Sequence, residues 1–274
     1  MHLPDGLHLD IPMVDYLAIT DRASTSVLHS LQEDGAALAR EKQLNPNHTT
    51  SATNIGTGVH EIVVEPENFI EHFTCFEGEK RTKEAKARWQ AILDSGKVPL
   101  REKEWELVRR ISKAVRRHRG FQHHLSSPDT LREVTALHGD LRCRPDVYDP
   151  QESVIIDIKT TRDLRSFRRD IVGRGYYMGA AIQVDVIKML TGVECRFAWY
   201  VIEKHDTLIQ TSLRWADDYL EAGRTAYSDL LNEWRRCRDA DDWPTREDGD
   251  EVAPDWLVRQ QDGPGMGTFG SQDK

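Results

Sequence analysis

Hydrophobic positions along this chain follow two periods. Residues 153–160, SVIIDIKT, form a short β-branched run that starts after Asp149-Pro150 and closes on Thr160-Thr161, the pattern of a strand. Residues 194–203, ECRFAWYVIE, read as a stronger strand, with 207–213 placed to pair with it. A further strand is expected near 131–137 and a hairpin over 139–159. Elsewhere the period is helical: 24–42, with Ser24 or Thr25 as N-cap, then Gly56 toward Val64 before Pro66, 79–94, 101–124, 163–172, 176–191 and a long amphipathic stretch over 215–237. Residues 43–54 read as a polar loop and 1–13 as an extended arm. The Gly-rich, polar segment 259–274 reads as a disordered tail, which leaves 14–258 as one domain. Helices precede and then interleave with a small sheet, so the class is mixed α/β (α+β), a central mixed sheet flanked by helices with a helical N-terminal region.

Composition narrows the setting. At 274 residues the chain can bury a sizeable core, and 38% hydrophobic with 30% charged residues is ordinary for a globular protein. No apolar run approaches about 18 residues, and the start MHLPDGLHLD lacks the regions of a signal peptide. Cys75, Cys143, Cys195 and Cys237 lie far apart with no C-x-x-C pair, which speaks against a zinc ribbon and fits reduced thiols in a cytoplasm. The net charge of −9 does not advertise a nucleic-acid partner, so its distribution matters more. Acids gather in 239–255, whereas 109–119 and 162–174 are rich in arginine and lysine.

The chemistry sits at Pro145-Asp146 and Asp157-Ile158-Lys159. Side chains alternate on a strand, so Asp157 and Lys159 share one face while Ile156 and Ile158 share the other. A carboxylate and an ammonium on an apolar, buried strand are costly unless they are partnered or functional. Two carboxylates at hairpin distance suit a hard divalent cation such as Mg²⁺, with the Ile158 carbonyl as a third oxygen, and Lys159 would orient a water or stabilise phosphate charge. That set points to metal-dependent phosphodiester hydrolysis; the plain alternative is a salt-bridged Asp-x-Lys on a surface strand. Arg162, Arg165, Arg168, Arg169 and Arg174 follow this strand directly, where phosphate-contacting arginines belong, whereas the 109–119 run reads more readily as a solvated helix face.

Several segments in order resemble the nuclease domain of the exonuclease VIII (RecE) family of phage and prophage PD-(D/E)XK proteins. They are Tyr16 before a Ser-rich helix start, GTGVHEIVVEPENF, CRPDVYDPQESVIIDIKTT, RFAWYVIEK, and LLNEWRRCRDADDWP followed by APDWL. The resemblance spans roughly residues 10–258. It implies a restriction-endonuclease-like core in which His60, Asp146 and Asp157 are metal ligands, Lys159 is the catalytic lysine and Glu133 helps bind metal or orient water. Imidazole is softer than Mg²⁺ prefers, so Mn²⁺ is an expected substitute.

The resemblance breaks at one helix. The family's core helix usually reads Tyr-x-x-Gln-Ala-Ala-x-Tyr, with the Gln and Tyr near the scissile phosphate; this chain has Tyr176, then Gly179 and Gln183. Positions 179 and 183 are a helical turn apart, so Gln183 can deliver an amide near the same place, and Tyr176 becomes a candidate DNA contact. By resemblance the protein would degrade one strand of linear duplex DNA from its 5′ end, as a ring-forming homo-oligomer (trimer or tetramer) beside a single-strand annealing protein. Two other classes compete: an endonuclease or other recombination nuclease with the same site, and a nuclease-fold protein that binds DNA without cutting. A purely structural role would leave the Asp157–Lys159 pair unexplained.

Overall fold

The β-branched run becomes the central strand of a five-stranded sheet in the computed structural model, which describes residues 3–46, 51–204 and 208–245. In chain order the strands are β1 (Gly6–His8), β2 (Phe73–Phe76), β3 (Val98–Arg101), β4 (Leu131–Arg132), β5 (Thr135–His138), β6 (Leu141–Cys143), β7 (Val147–Asp149), β8 (Val154–Thr161), β9 (Arg196–Lys204) and β10 (Ile209–Trp215). The helices are α1 (Met13–Leu17), α2 (Thr25–Asp34), α3 (Ala36–Leu44), α4 (Ser51–Val64), α5 (Pro66–His72), α6 (Lys83–Asp94), α7 (Glu102–Val115), α8 (Arg119–Leu125), α9 (Phe167–Gly173), α10 (Tyr176–Thr191) and α11 (Leu220–Ala240). The main sheet has the order β10-β9-β8-β7-β4, and β1-β5-β6 form a second, antiparallel sheet.

Strands β8 and β9 run parallel, with Asp157 opposite Trp199 and Lys159 opposite Val201. A parallel pair cannot close through a tight turn, and α9 and α10 supply the crossover. Strand alternation sorts the core into two halves. Ile155, Phe197, Trp199 and Val201 pack with α2, α10 and α11, whereas Ile156, Ile158, Tyr200 and Ile202 pack with α4, α7 and α8. Helix α7 shows the matching period, burying Val108, Ile111, Ser112 and Val115. Helix α10 is buried continuously from Met178 to Ile187, as its apolar sequence requires.

The observed elements differ from the sequence reading where a single residue breaks a period. The expected helix over 24–42 divides into α2 and α3 because Gly35 adopts φ +87°, outside the helical region. The expected strand over 131–137 divides at Glu133, and its halves join different sheets. The hairpin over 139–159 is narrower: β7 and β8 pair with each other, while β6 turns back onto β5. Helix 101–124 breaks after Val115, and α4 begins at Ser51, inside the stretch read as loop. Strands β2 and β3 had no reading; they are short and pair in parallel through α6. The N-terminal arm contributes β1, with Gly6 opposite Leu137. The 259–274 segment and APDWL lie outside the described residues. All four cysteines are free thiols, and no helix among the described residues is long and apolar enough to cross a membrane.

Candidate active site

Two breaks in regular structure place the first carboxylates. Asp146 lies on the link where the chain leaves β6 and enters β7, in the other sheet. Glu133 separates β4 from β5 with φ +50°, a left-handed conformation that a glutamate adopts at a cost of about 1 kcal/mol or more. The Glu133 N–H donates to the Asp146 carbonyl at 3.2 Å, so the two kinks are stitched together. His60 arrives from α4. Its Nε2 is 2.8 Å from Asp146 Oδ1 and 3.0 Å from Glu133 Oε1, and one ligand atom from each of the three residues falls within 4.8 Å of the others.

Strand β8 brings the second half. Lys159 Nζ pairs with Asp157 Oδ2 on the face that α10 covers, and Nζ also lies 4.9 Å from the Tyr176 ring. The Ile158 N–H donates to Asp146 Oδ2 at 2.5 Å, which locks Asp146 against the strand. In an extended strand the N–H and C=O of one residue point to the same edge, so the Ile158 carbonyl faces the Asp146 side too. Gln183 projects from α10, buried, with an Oε1 that accepts no hydrogen bond. All these residues line one cavity of about 870 Å³, which reaches past Gly179, Arg174 and Trp199 to Ser24, Thr25 and Lys42.

The electrostatics follow from burying so many charges together. Burial alone would depress the His60 imidazolium, but the Asp146, Glu133 and Asp157 carboxylates outweigh it and hold its pKa at about 9. Burial pushes Glu133 up to about 7, with Asp146 adding to the rise and His60 and Arg144 opposing it. Burial and the Asp146 charge raise Asp157 against the pull of Lys159. For Asp146, burial is overcome by His60, Lys159 and the Ile158 N–H, and its pKa falls. Lys159 stays charged because Asp157 and Asp146 more than offset its own burial. Glu133 Oε1 and Asp157 Oδ2 meet no donor besides their ion-pair partners, His60 Nε2 and Lys159 Nζ. Buried carboxylate oxygens short of donors, beside one imidazole, fit the oxygen-rich ligand set of a hard divalent cation.

The profile of a PDDEXK-like domain of unknown function (DUF3799) matches residues 24–252, most of the chain. The chain belongs to this family. A crystal structure of a candidate exonuclease from Eubacterium rectale has the same fold at a TM-score of 0.64 and 14% identity, covering 94% of this chain and all of that one. No curated protein matches significantly. The PDDEXK-like core thus accounts for the mixed sheet and for the hairpin that carries Asp146 and Asp157.

Set on this PDDEXK-like core, the residues picked from sequence divide into two groups. His60, Glu133, Asp146, Asp157, Ile158, Lys159, Tyr176 and Gln183 converge on the cavity. The tightest ligand cluster is His60–Glu133–Asp146, with Asp157 turned to Lys159 beside it. Arg162, Arg165, Arg168 and Arg169 are exposed and outside the cavity lining, on the β8–α9 loop and α9, whereas Arg174 does line it. The 109–119 basic run lies on α7, α8 and the link between them, with Arg109, Lys113, Arg116, Arg117 and Arg119 exposed. Arg144 carried no role in the sequence reading. Its Nε donates to Glu133 Oε2 at 2.6 Å, Nη1 donates to the Ile11 carbonyl and to Thr135 Oγ1, and the guanidinium lies 5.7 Å over the Tyr16 ring. Its place beside Pro145-Asp146 was the available signal.

Proposed function

We propose that this protein is a divalent-metal-dependent DNA exonuclease, acting on the ends of linear duplex DNA. The convergence of His60, Glu133 and Asp146 beside the Asp157–Lys159 pair in one cavity carries this reading. His60, Glu133, Asp146 and the neighbouring Asp157 would hold the metal, Mg²⁺ or Mn²⁺, with the Ile158 carbonyl within reach. When bound, such an ion supplies Lewis acidity and a lowered water pKa.

The chain's own groups do the rest. Lys159, kept charged by Asp157 and Asp146, donates a hydrogen bond to a water or to a phosphate oxygen where negative charge grows. Arg144 fixes the second Glu133 oxygen, so the first is aimed at the site. Gln183 offers an amide with a free acceptor in the same cavity. Asp157 is buried and Lys159 half-buried, which limits bulk water around the pair and strengthens each of these interactions.

By family resemblance, the proposed polarity is 5′ to 3′, leaving 3′ single strands for a partner annealing protein in recombination, with a homo-oligomeric ring as the working form. The second reading, endonuclease, uses the same residues. Incubation of linear and closed circular duplex DNA with Mg²⁺ and separately labelled ends tests both. Early release of a 5′ label from linear DNA alone supports the proposal, cutting of circles moves it to endonuclease, and no cutting with Mg²⁺ or Mn²⁺ overturns the enzymatic reading.

A further inference from the structure

Beyond the metal cluster, the C-terminal ends of β8 and β9 hold an unused group of cations. Thr161 stands opposite Glu203 in the parallel register, so Arg162, the first residue past β8, and Lys204, the last residue of β9 and paired with Ile209 of β10, come side by side, roughly 5 Å apart at the backbone. Arg174, which precedes α10 and lines the active cavity, also acts on Lys204: burial first, then the Arg162 and Arg174 charges, depress the Lys204 ammonium below its usual pKa. Arg174 acts on Tyr176 as well, and the Tyr176 ring lies under Lys159. Arg174 therefore shares the cavity with Lys159 and lies within electrostatic reach of Lys204, which stands beside Arg162.

Nearby acids neutralise only part of this group, and the two cations at the strand ends keep their charge uncompensated. Glu203 Oε2 accepts the Leu164 N–H at 3.1 Å and Asp163 Oδ1 accepts the Arg165 N–H at 2.9 Å, so both carboxylates are held by backbone. Asp170 reaches Arg174 at 3.4 Å on the surface. Among the described residues, no carboxylate forms an ion pair with Arg162 or Lys204. Three like charges gathered at a sheet end are an electrostatic cost that an anionic backbone relieves.

We infer that Arg174, Lys204 and Arg162 form a phosphate track that carries the nucleic-acid backbone between the Lys159 site and the surface. This inference rests on the nuclease reading and deepens it, because it assigns the path of the strand. It differs from the sequence expectation by leaving out Arg165, Arg168 and Arg169 and adding Lys204. Phosphate contacts of this kind position the strand and give no base specificity.

The test uses the metal-free protein in EDTA, which stops hydrolysis, and a short fluorescein-labelled blunt duplex read by anisotropy from about 50 to about 200 mM KCl. Arg162→Gln and Lys204→Gln are each expected to weaken binding several-fold across sequences and to lower the slope of log K against log[salt] by about one. Arg236→Gln, an equal charge change on the exposed side of α11, is the control, expected to match wild type. Unchanged slopes in both track variants, with the wild type binding DNA, overturn the track alone. A wild type that binds no DNA at the lowest salt removes the nuclease reading and the track with it.

Discussion

Helix α10 holds Tyr176 and Gln183 over the β8 charges only because α11 crosses it without a side chain at Gly223. A Cβ built there would sit 2.4 Å from the Tyr177 carbonyl oxygen and 2.8 Å from Ala181 Cβ. Ordinary contact is roughly 3.5 Å, so Gly223→Ala forces the helices about 1 Å apart. The same crossing carries a clamp, in which Arg224 donates to Asp185 at 2.9–3.1 Å and the Tyr227 hydroxyl donates to it at 2.7 Å. Alanine gains about 1 kcal/mol of helix propensity over glycine. Against that stand overpacking, about 1–3 kcal/mol, and weakened hydrogen bonds to the Asp185 carboxylate, about 1–3 kcal/mol. The expected net loss is about 2–3 kcal/mol, or about 4–5 °C in Tm for a chain of this size. Differential scanning calorimetry measures it, and cleavage should fall as well because α10 moves. Gly56→Ala in α4, where a Cβ meets nothing within 4 Å, is the control and should hold or raise Tm. A Gly223→Ala Tm equal to wild type would refute the described crossing.

Lys159→Met should lower cleavage at least about a hundredfold with little change in fold, and Gln183→Ala about tenfold; if Gln183→Ala cuts at the wild-type rate, Gln183 has no part in the reaction. Metal affinity should climb with pH until about 9, by up to about tenfold per unit above about 7, because His60 keeps its proton to about 9 and must lose it to ligate, and more steeply below about 7, where Glu133 is protonated too. Calorimetric titration in buffers of different ionisation enthalpy reports the released proton, and an affinity flat between about pH 6 and 8 would remove His60 from the ligand set. Asp140 accepts hydrogen bonds from Arg235 at 2.7 Å and from Arg238; against its partial burial, these arginines depress its pKa. A depressed carboxylate contributes stability above its unfolded value of 3.8, which is lost as pH falls through the lower folded value. Asp140→Asn should therefore cost about 1 kcal/mol near neutral pH, allowing for the solvent at Arg235, and clearly less at a pH well below 3.8. Urea midpoints at the two pH values decide this.

Legibility in the sequence tracked how local each cause is. Strand β8 and helix α10 were readable because their neighbours are chemically uniform: β-branched residues throughout one, apolar residues on every side of the other. The Asp157–Lys159 face followed from alternation alone. His60 and Glu133 were not readable without the family resemblance, because their convergence depends on a helix and a kink brought together from distant parts of the chain. Glu133 illustrates the limit, since the apolar pattern over 131–137 continues straight through the residue that breaks it. Strands β2 and β3 are too short to show a period, and their pairing through α6 is a tertiary choice. Arg144 was hidden for another reason. An arginine before Pro-Asp reads as one more surface charge until Glu133 and Tyr16 fold around it.

Gly179, where the exonuclease VIII resemblance expects Gln, is tightly packed. A Cβ at 179 would lie 3.1 Å from Thr25 Cγ2 and 3.3 Å from Thr25 Oγ1, because the start of α2 presses directly on this turn of α10. Gly175, at φ +64°, is under the same pressure, with His29 Cδ2 2.7 Å from where its Cβ would stand. A long side chain at 179 would have to displace α2, and α2 is fixed from behind by Leu28 and Leu31 in the main core. Gln183, one turn further on, faces the cavity and keeps an unpaired Oε1 there. The close approach of α2 thus leaves no room for a long side chain at 179, while Gln183, one turn further along α10, has a place in the cavity lining.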